Sequence, residues 1–155
     1  MVVRGPGRPT PRLRAEAEAA LRGRAELVAG CCRLAAGQDV DDGLVVALGG
    51  PHARHVLAGG PHADQEHRLR VWGLRGLLWV WDDTALDAVV AALGDPAWRV
   101  REMAVKVVAR HRLGAPFPLV VALRDPSARV RAAAARAVAA LTQVAAMSPH
   151  GGRAA

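Results

Sequence analysis

The sequence predicts an all-α protein, an α-α superhelix of about three to four helix pairs behind an N-terminal helix. Three observations support this prediction. A nine-residue segment that begins at Leu93 recurs thirty residues later at Leu123, and a fixed period is typical of stacked helical repeats. Apolar residues follow each copy at helical spacing. The 155 residues include four Trp, one Phe and no Tyr, so most of the core must consist of small aliphatic side chains, which suit closely packed helices.

The repeated segment has the pattern L-x-D-P-x-x-R-V-R at residues 93–101 and 123–131. We expect the Asp to cap the following helix by accepting a backbone N–H, and the Pro to occupy its first turn, where a missing donor costs nothing. The pattern therefore predicts a corner between two helices. A degenerate copy lies thirty-one residues upstream. In it the Asp, the first Arg, the apolar residue and the second Arg of the pattern correspond to Asp64, Arg68, Leu69 and Arg70.

Turn residues and apolar spacing place the elements in chain order. We expect helices over residues 11–34, 41–48, 51–57, 65–81, 82–93, 96–112, 115–123 and 126–144. These helices form one repeat domain at 11–147. A basic N-terminal tail at 1–10 and a Gly- and Pro-containing tail at 148–155 are expected to be disordered.

The net charge of +7 is concentrated in the C-terminal part of the chain. Residues 96–155 contain ten Lys or Arg against two acidic residues, which favours an anionic partner. Lys106 is the only Lys, and Ile, Asn and Tyr are absent. That depletion indicates GC-rich codon usage, which raises the Arg content for reasons unrelated to binding.

The chain is expected to be cytoplasmic. Cys31 and Cys32 are adjacent and have no distant partner, so a reducing compartment is favoured over a disulfide framework. The N-terminus lacks the apolar region of a secretory signal. The longest apolar stretch, residues 71–81, is interrupted by Arg75 and is shorter than the roughly 18 residues that a membrane span needs.

The D-P-x-x-R-V-R corner between helix pairs resembles the HEAT-repeat family, in particular its short-repeat, phycobilisome-lyase-like branch. The resemblance implies that the Asp and the Arg six positions later bond to each other and between neighbouring repeats as a ladder. It assigns structural roles to Asp64 with Arg70, Asp95 with Arg101, and Asp125 with Arg131. In this family the second helix of each pair tends to line the concave surface to which partners bind.

A second basic column precedes the ladder arginines by two positions. We expect it to bind a partner, together with cations that follow it at helical spacing: Arg68, Arg99, Lys106, Arg110, Arg129 and Arg136. The predicted function is a non-enzymatic protein-interaction or scaffold module with an acidic partner and no cofactor. The alternative is nucleic-acid binding, with or without a DNA-glycosylase-like repair activity. A solvated charged face without a ligand is the simpler interpretation of the same residues.

Three further patterns have weaker functional interpretations. The histidines between His52 and His67 match no structural zinc spacing, and two of them belong to a local duplication, so no metal site is expected. The chain has no His-Glu dipeptide of the kind that binds iron in a HEAT-like hydroxylase, and no residue set points to bilin-lyase chemistry. A HEAT-like DNA glycosylase uses Trp and Asp on a basic surface. This chain resembles it in having such residue types near one corner, at Trp79, Trp81, Asp82, Asp83, Trp98 and Arg99. An N-cap and core packing explain most of these equally well.

Overall fold

The structure is a computed structural model, and it describes residues 7–59, 66–114 and 116–147. Every regular element in these ranges is helical, which confirms the all-α prediction. The elements are α1 (Pro11–Arg22), α2 (Arg24–Ala35), α3 (Asp42–Gly49), α4 (Pro51–Ala58), α5 (Glu66–Trp79), a 3₁₀ turn (Asp83–Ala85), α6 (Leu86–Ala92), α7 (Trp98–His111), α8 (Phe117–Ala122) and α9 (Ala128–Met147).

The longer helices pack side by side. Helix α5 lies between α2 and α7, and α7 lies between α5 and α9. The short helices α6 and α8 each pack against the longer helix that follows them, so α6–α7 and α8–α9 are successive helix pairs. Helices α1 and α3 pack against each other and against α5, and they close the N-terminal side of the stack.

The core consists almost entirely of Ala, Val and Leu. Leu74, Leu77, Val100 and Val107 are fully buried, and Trp72 is the one aromatic side chain in the buried core of the described residues. No polar or charged side chain in the described part is buried. Burial of apolar surface therefore stabilises the interior of the stack, while hydrogen bonds and ion pairs of polar side chains lie nearer its surface.

The prediction of one helix over 11–34 is wrong in one respect, because the structure has two helices there. Gly23 has φ of 91°, a conformation that L side chains rarely adopt, and its N–H still bonds to the Ala19 carbonyl. Arg22, just before the break, donates two hydrogen bonds of 2.7 Å to Asp41. This ion pair ties the end of α1 to the N-cap of α3, where the Asp41 carboxylate also accepts from the Leu44 N–H.

The corner between helices also differs from its predicted geometry. Helix α7 begins at Trp98, with Ala97 as N-cap, so Pro96 precedes the helix and does not occupy its first turn. The Asp95 carboxylate accepts a hydrogen bond from the Ala97 N–H at 2.8 Å, which forms a side-chain turn before the helix begins. The corner at Asp125 has the same arrangement. The ring of Pro restricts the preceding Asp to the extended conformation that such a turn uses.

The predicted tails at 1–10 and 148–155 lie partly or wholly outside the described residues, so the domain limits stay predictions. None of the helices in the described ranges combines the length and the apolar character that crossing a bilayer requires.

Candidate protein-interaction surface

Two Arg–Asp pairs join successive repeats. Arg70 donates from Nε and Nη2 to the Asp95 carboxylate at 2.8 and 3.1 Å. Arg101 binds the Asp125 carboxylate through the same two nitrogens at 2.8 and 2.9 Å. All four side chains are less than one fifth exposed. Each pair is bidentate, which is the strongest geometry for an Arg–carboxylate contact.

Each of these pairs joins an Arg to the Asp of the following repeat, and not to the Asp six positions before it in its own repeat. Each Asp carboxylate binds the Arg of the preceding repeat, whereas each Arg reaches its own Asp only at the main chain. Nη1 of Arg101 donates to the carbonyls of Asp95 and Pro96 at 2.8 and 3.0 Å. Nη1 of Arg131 donates in the same way to the carbonyls of Asp125 and Pro126, at 2.7 and 2.9 Å. Asp64, predicted to pair with Arg70, lies outside the described residues.

The six cations predicted to bind a partner all lie on α5, α7 and α9, and we call their surface the basic face. It comprises Arg68, Arg99, Lys106, Arg110, Arg129 and Arg136. Two depressions of this surface each bring together cations from adjacent repeats. Arg68 and Arg99 line one of about 230 Å³. Lys106 and Arg136 line another of about 250 Å³, whose remaining walls are alanines.

The cations of the basic face differ in the contacts that their side chains make with other residues. Lys106 pairs with Glu102 at 3.1 Å, and Nη1 of Arg68 lies 2.6 Å from Nε2 of His52. The Arg99 guanidinium lies 4.4 Å from the ring centroid of its neighbour Trp98, a cation–π distance. Neither Arg129 nor Arg136 forms an ion pair with a carboxylate of the described residues. The face therefore keeps cations that can bind an external anion.

Trp79 extends this surface and was not among the predicted site residues. Its ring lies below two guanidinium groups, 4.8 Å from Arg110 and 5.8 Å from Arg12. Its indole Nε1 is buried and has no hydrogen-bond partner in the described part of the chain. The ring thus joins the N-terminal helix to the basic face through cation–π contacts.

Arg75 is a further cation that the sequence reasoning missed. It lies thirty-one residues before Lys106, which in turn lies thirty before Arg136, so the repeat period would have identified it. Its Nη2 donates to the Leu48 carbonyl at 3.0 Å. Burial, and then the nearby charge of Arg14, lower the pKa of Arg75. This arginine stabilises the contact between α5 and α3.

The residue types shared with a DNA glycosylase serve the fold at several positions. Trp81 stacks on His111 with ring centroids 4.6 Å apart, and its Nε1 donates to Asp83 at 3.0 Å. The Asp82 carboxylate accepts from the Thr84 N–H at 2.9 Å and caps the 3₁₀ turn. These contacts give Trp81, Asp82 and Asp83 roles in the local structure.

The His and Cys residues show no metal site within the described ranges. No three or more His, Cys, Asp or Glu there come close enough to hold an ion, and His62 lies outside those ranges. Burial raises the pKa of the Cys31 thiol to about 12. The pKa of Cys32 is also raised by burial, against the opposing effect of Arg33. A thiol with a raised pKa is a poor nucleophile at neutral pH.

Comparison with known proteins identifies one segment. The family model of the HEAT repeat matches residues 117–145, which span α8, the Asp125 corner and most of α9. No curated protein and no solved structure matches the chain. The matched segment is one complete helix pair, and α6–α7 repeats its corner, its Arg–Asp pairing and its packing. Residues 117–145 are thus a HEAT repeat, and the all-helical architecture around them is consistent with a HEAT-like α-α solenoid.

Proposed function

We propose that this chain is a protein-interaction module whose basic face binds an acidic surface or peptide of a partner protein. HEAT repeats generally serve protein–protein interaction and scaffolding, because stacked helix pairs present an extended continuous surface. The acidic character of the partner and the location of its binding surface are the specific parts of the proposal.

The observation that carries the proposal is the pairing of cations across repeat boundaries. Arg68 of α5 and Arg99 of α7 line one depression, and Lys106 of α7 and Arg136 of α9 line the next. A carboxylate in either depression meets two cations from two different helices. Spacing of this kind suits a ligand that carries several carboxylates along an extended or helical segment.

The composition of the face supports an anionic ligand. Glu102 is the one acidic residue of α7 and is already paired with Lys106. Helix α9 has no acidic residue. An acidic partner therefore meets little repulsion along these two helices, and long-range attraction speeds its association.

A quantitative pull-down from the native organism tests the proposal. The variant Arg99→Glu with Arg129→Glu reverses two exposed charges of the basic face. We expect it to retain specific partners about tenfold less than the parent chain, because like charges then oppose the acidic ligand. The matched control, Arg24→Glu with Arg54→Glu, makes the same change in net charge at exposed positions outside the face and should retain the same partners as the parent.

Equal recovery of partners by the parent and by the basic-face variant would contradict the proposal. A parallel titration with a DNA duplex tests the alternative prediction, since the same cations also suit a phosphate backbone. Nucleic-acid affinity would fall steeply with salt, in proportion to the number of phosphates contacted. Tight DNA binding that the basic-face variant loses would replace the acidic-protein proposal with nucleic-acid binding.

A further inference from the structure

The ladder of Arg–Asp pairs ends in an arginine whose fork is open. Arg70, Arg101 and Arg131 occupy equivalent positions in successive repeats. Nε and Nη2 of the first two bind an aspartate of the following repeat. Nε and Nη2 of Arg131 have no hydrogen-bond partner among the described residues. Its Nη1 donates to the carbonyls of Asp125 and Pro126, which are equivalent to the two carbonyls that bind Nη1 of Arg101.

This anchoring makes Arg131 a preformed carboxylate receptor. The two carbonyls hold the guanidinium in the orientation that, at Arg101, presents Nε and Nη2 to Asp125. A ligand that binds Arg131 therefore need not order the side chain first, which lowers the entropic cost of binding. The planar fork selects a carboxylate that accepts two parallel hydrogen bonds.

The surface beside Arg131 is apolar, and no described residue covers it. Val105 is 1% exposed beneath α8 and α9, whereas its equivalent thirty residues later, Ala135, is exposed. Leu123, the residue that follows α8, is 36% exposed. One repeat earlier the equivalent side chains are better covered, because Val105 is buried and Leu93 is half-buried. The C-terminal side of the stack thus combines an apolar stacking surface with an open bidentate cation.

We propose that Arg131 and this surface form a docking site for an aspartate at the helix corner of another polypeptide. The filled pairs at Arg70 and Arg101 define the required chemistry: a carboxylate at the start of a helix whose apolar side packs beside it. The corner aspartates of the two described L-x-D-P-x-x-R-V-R copies, Asp95 and Asp125, are already bound in two-point contacts by arginines of the same chain, so we assign the site to a different polypeptide and not to a second copy.

The docking site is independent of the proposed function, because it uses the ladder column and not the basic face. A suitable probe is a synthetic peptide with the sequence of residues 123–139, which includes the corner aspartate and the first turns of α9. The peptide has four Arg and one Asp, so the basic face should repel it. Its binding at Arg131 therefore does not depend on the basic face.

The experiment follows the arginine Nε–H signals of the full chain by NMR as this peptide is added. We expect the Arg131 signal to shift, and the Asp125→Asn form of the peptide to bind about tenfold more weakly, because the amide loses the charge-assisted contact. In the full chain, Arg131→Lys keeps the charge and removes the fork, and it should weaken peptide binding comparably. Arg136→Lys on the same helix should leave it unchanged.

Several results would overturn the proposal. These are equal binding of the two peptides, unchanged affinity in Arg131→Lys, and no binding at millimolar peptide. A shift of the Arg131 signal when the chain alone is concentrated would assign the site to a second copy and refute the choice of another polypeptide. Thermal unfolding of both Lys variants verifies that each is folded, so a loss of binding in Arg131→Lys alone is specific to the fork.

Discussion

Asp125 performs two tasks at one corner, and its ionisation determines both. Its carboxylate accepts two hydrogen bonds from Arg101 and one from the Ser127 N–H at 2.8 Å. The bond with Arg101 is the main cause that lowers the pKa of Asp125, and the same bond raises the pKa of Arg101. The charged form of Asp125 is therefore the form that links the repeats and shapes the turn before α9.

Replacement of Asp125 by Asn should destabilise the chain by about 2–3 kcal/mol at pH 7, because it leaves a half-buried Arg101 without its counter-charge. The folded pKa lies below the ordinary value of about 3.9, so the unfolded chain binds more protons in that interval. The contribution of Asp125 is thus present above about pH 4 and is lost as the pH falls through the folded pKa. Urea unfolding of parent and variant from pH 7 to pH 2 measures this.

The difference in unfolding free energy between parent and variant should shrink below about pH 4. Asp87→Asn is the control, because Asp87 is exposed and has no hydrogen bond or ion pair with another described residue. Asp41, whose pKa is held at about 2 by its bonds to Arg22, contributes to the acid sensitivity of parent and variant alike. A difference that persists undiminished to pH 2 would show that the ionised carboxylate is not what Asp125 contributes.

At the scale of residues, the sequence identifies the ladder columns but not their connections. Repetition alone marks Asp95, Asp125, Arg101 and Arg131 as equivalent. Whether an Arg binds its own Asp or the next one depends on how far the following repeat is translated and rotated, which the spacing of six does not contain. The position of Trp79 under Arg12 and Arg110 likewise depends on the approach of α1, which lies outside the recognisable repeats.

At the scale of elements, glycines decide where helices meet and where they break. A Cβ built on Gly73 would lie 2.7 Å from the Cys31 carbonyl oxygen and 2.8 Å from the Ala35 nitrogen, both main-chain atoms of α2. This close contact between the main chain of α2 and α5 therefore requires the absence of a side chain at Gly73. The sequence shows Gly73 and Gly76 inside a helical pattern, but the partner helix is visible only in three dimensions.

Gly73→Ala should destabilise the chain by about 1–3 kcal/mol, because α2 and α5 must separate to admit the methyl group. This loss exceeds the gain in helix propensity, which is at most about 1 kcal/mol. Gly94→Ala is the matched control, since a Cβ there would lie 3.6 Å from its nearest neighbour, the Ala91 oxygen. Thermal and urea unfolding distinguish the two. A Gly73→Ala chain as stable as the parent would mean that the helices tolerate separation.

Helix boundaries show why local signals are insufficient at this scale. Residues 11–34 favour helix on both sides of Gly23, and a single Gly inside a helical pattern usually costs only about 1 kcal/mol. The break coincides with tertiary contacts on both sides of Gly23, because Arg22 binds Asp41 and α2 packs against α5. The corner aspartates were expected to cap their helices directly, but their side-chain turns move the helix start to Trp98 and Ala128.

At the scale of the whole molecule, stability should be greatest in the middle of the stack. Helices α5 and α7 have long helices on both sides, and every side chain from 142 to 147 in α9 is exposed. We expect amide hydrogen exchange to be slowest in α5 and α7 and fastest in the last turns of α9, because local opening there exposes little apolar surface. Uniform protection along α9 would contradict this gradient.

The overall architecture follows from the repeat more than from any single helix. Two close copies of one corner were enough to predict an all-α superhelix in which helix pairs stack. The packing of α1, α3 and α4 was not predictable in the same way, because no strong copy of the corner occurs there. Their contacts depend on individual arginines, such as Arg14, which donates to the Ala47 carbonyl at 3.1 Å.

The open fork of Arg131 gives the stack a direction, with consequences for how such chains grow. Tandem duplication of a segment like 117–145 in the gene would append a corner aspartate downstream of an arginine already oriented to receive it. The first added copy would thus be joined to the old end without a compensating mutation. Each unit of this kind contains both the aspartate that joins it to the preceding unit and the arginine that can receive the aspartate of the following one.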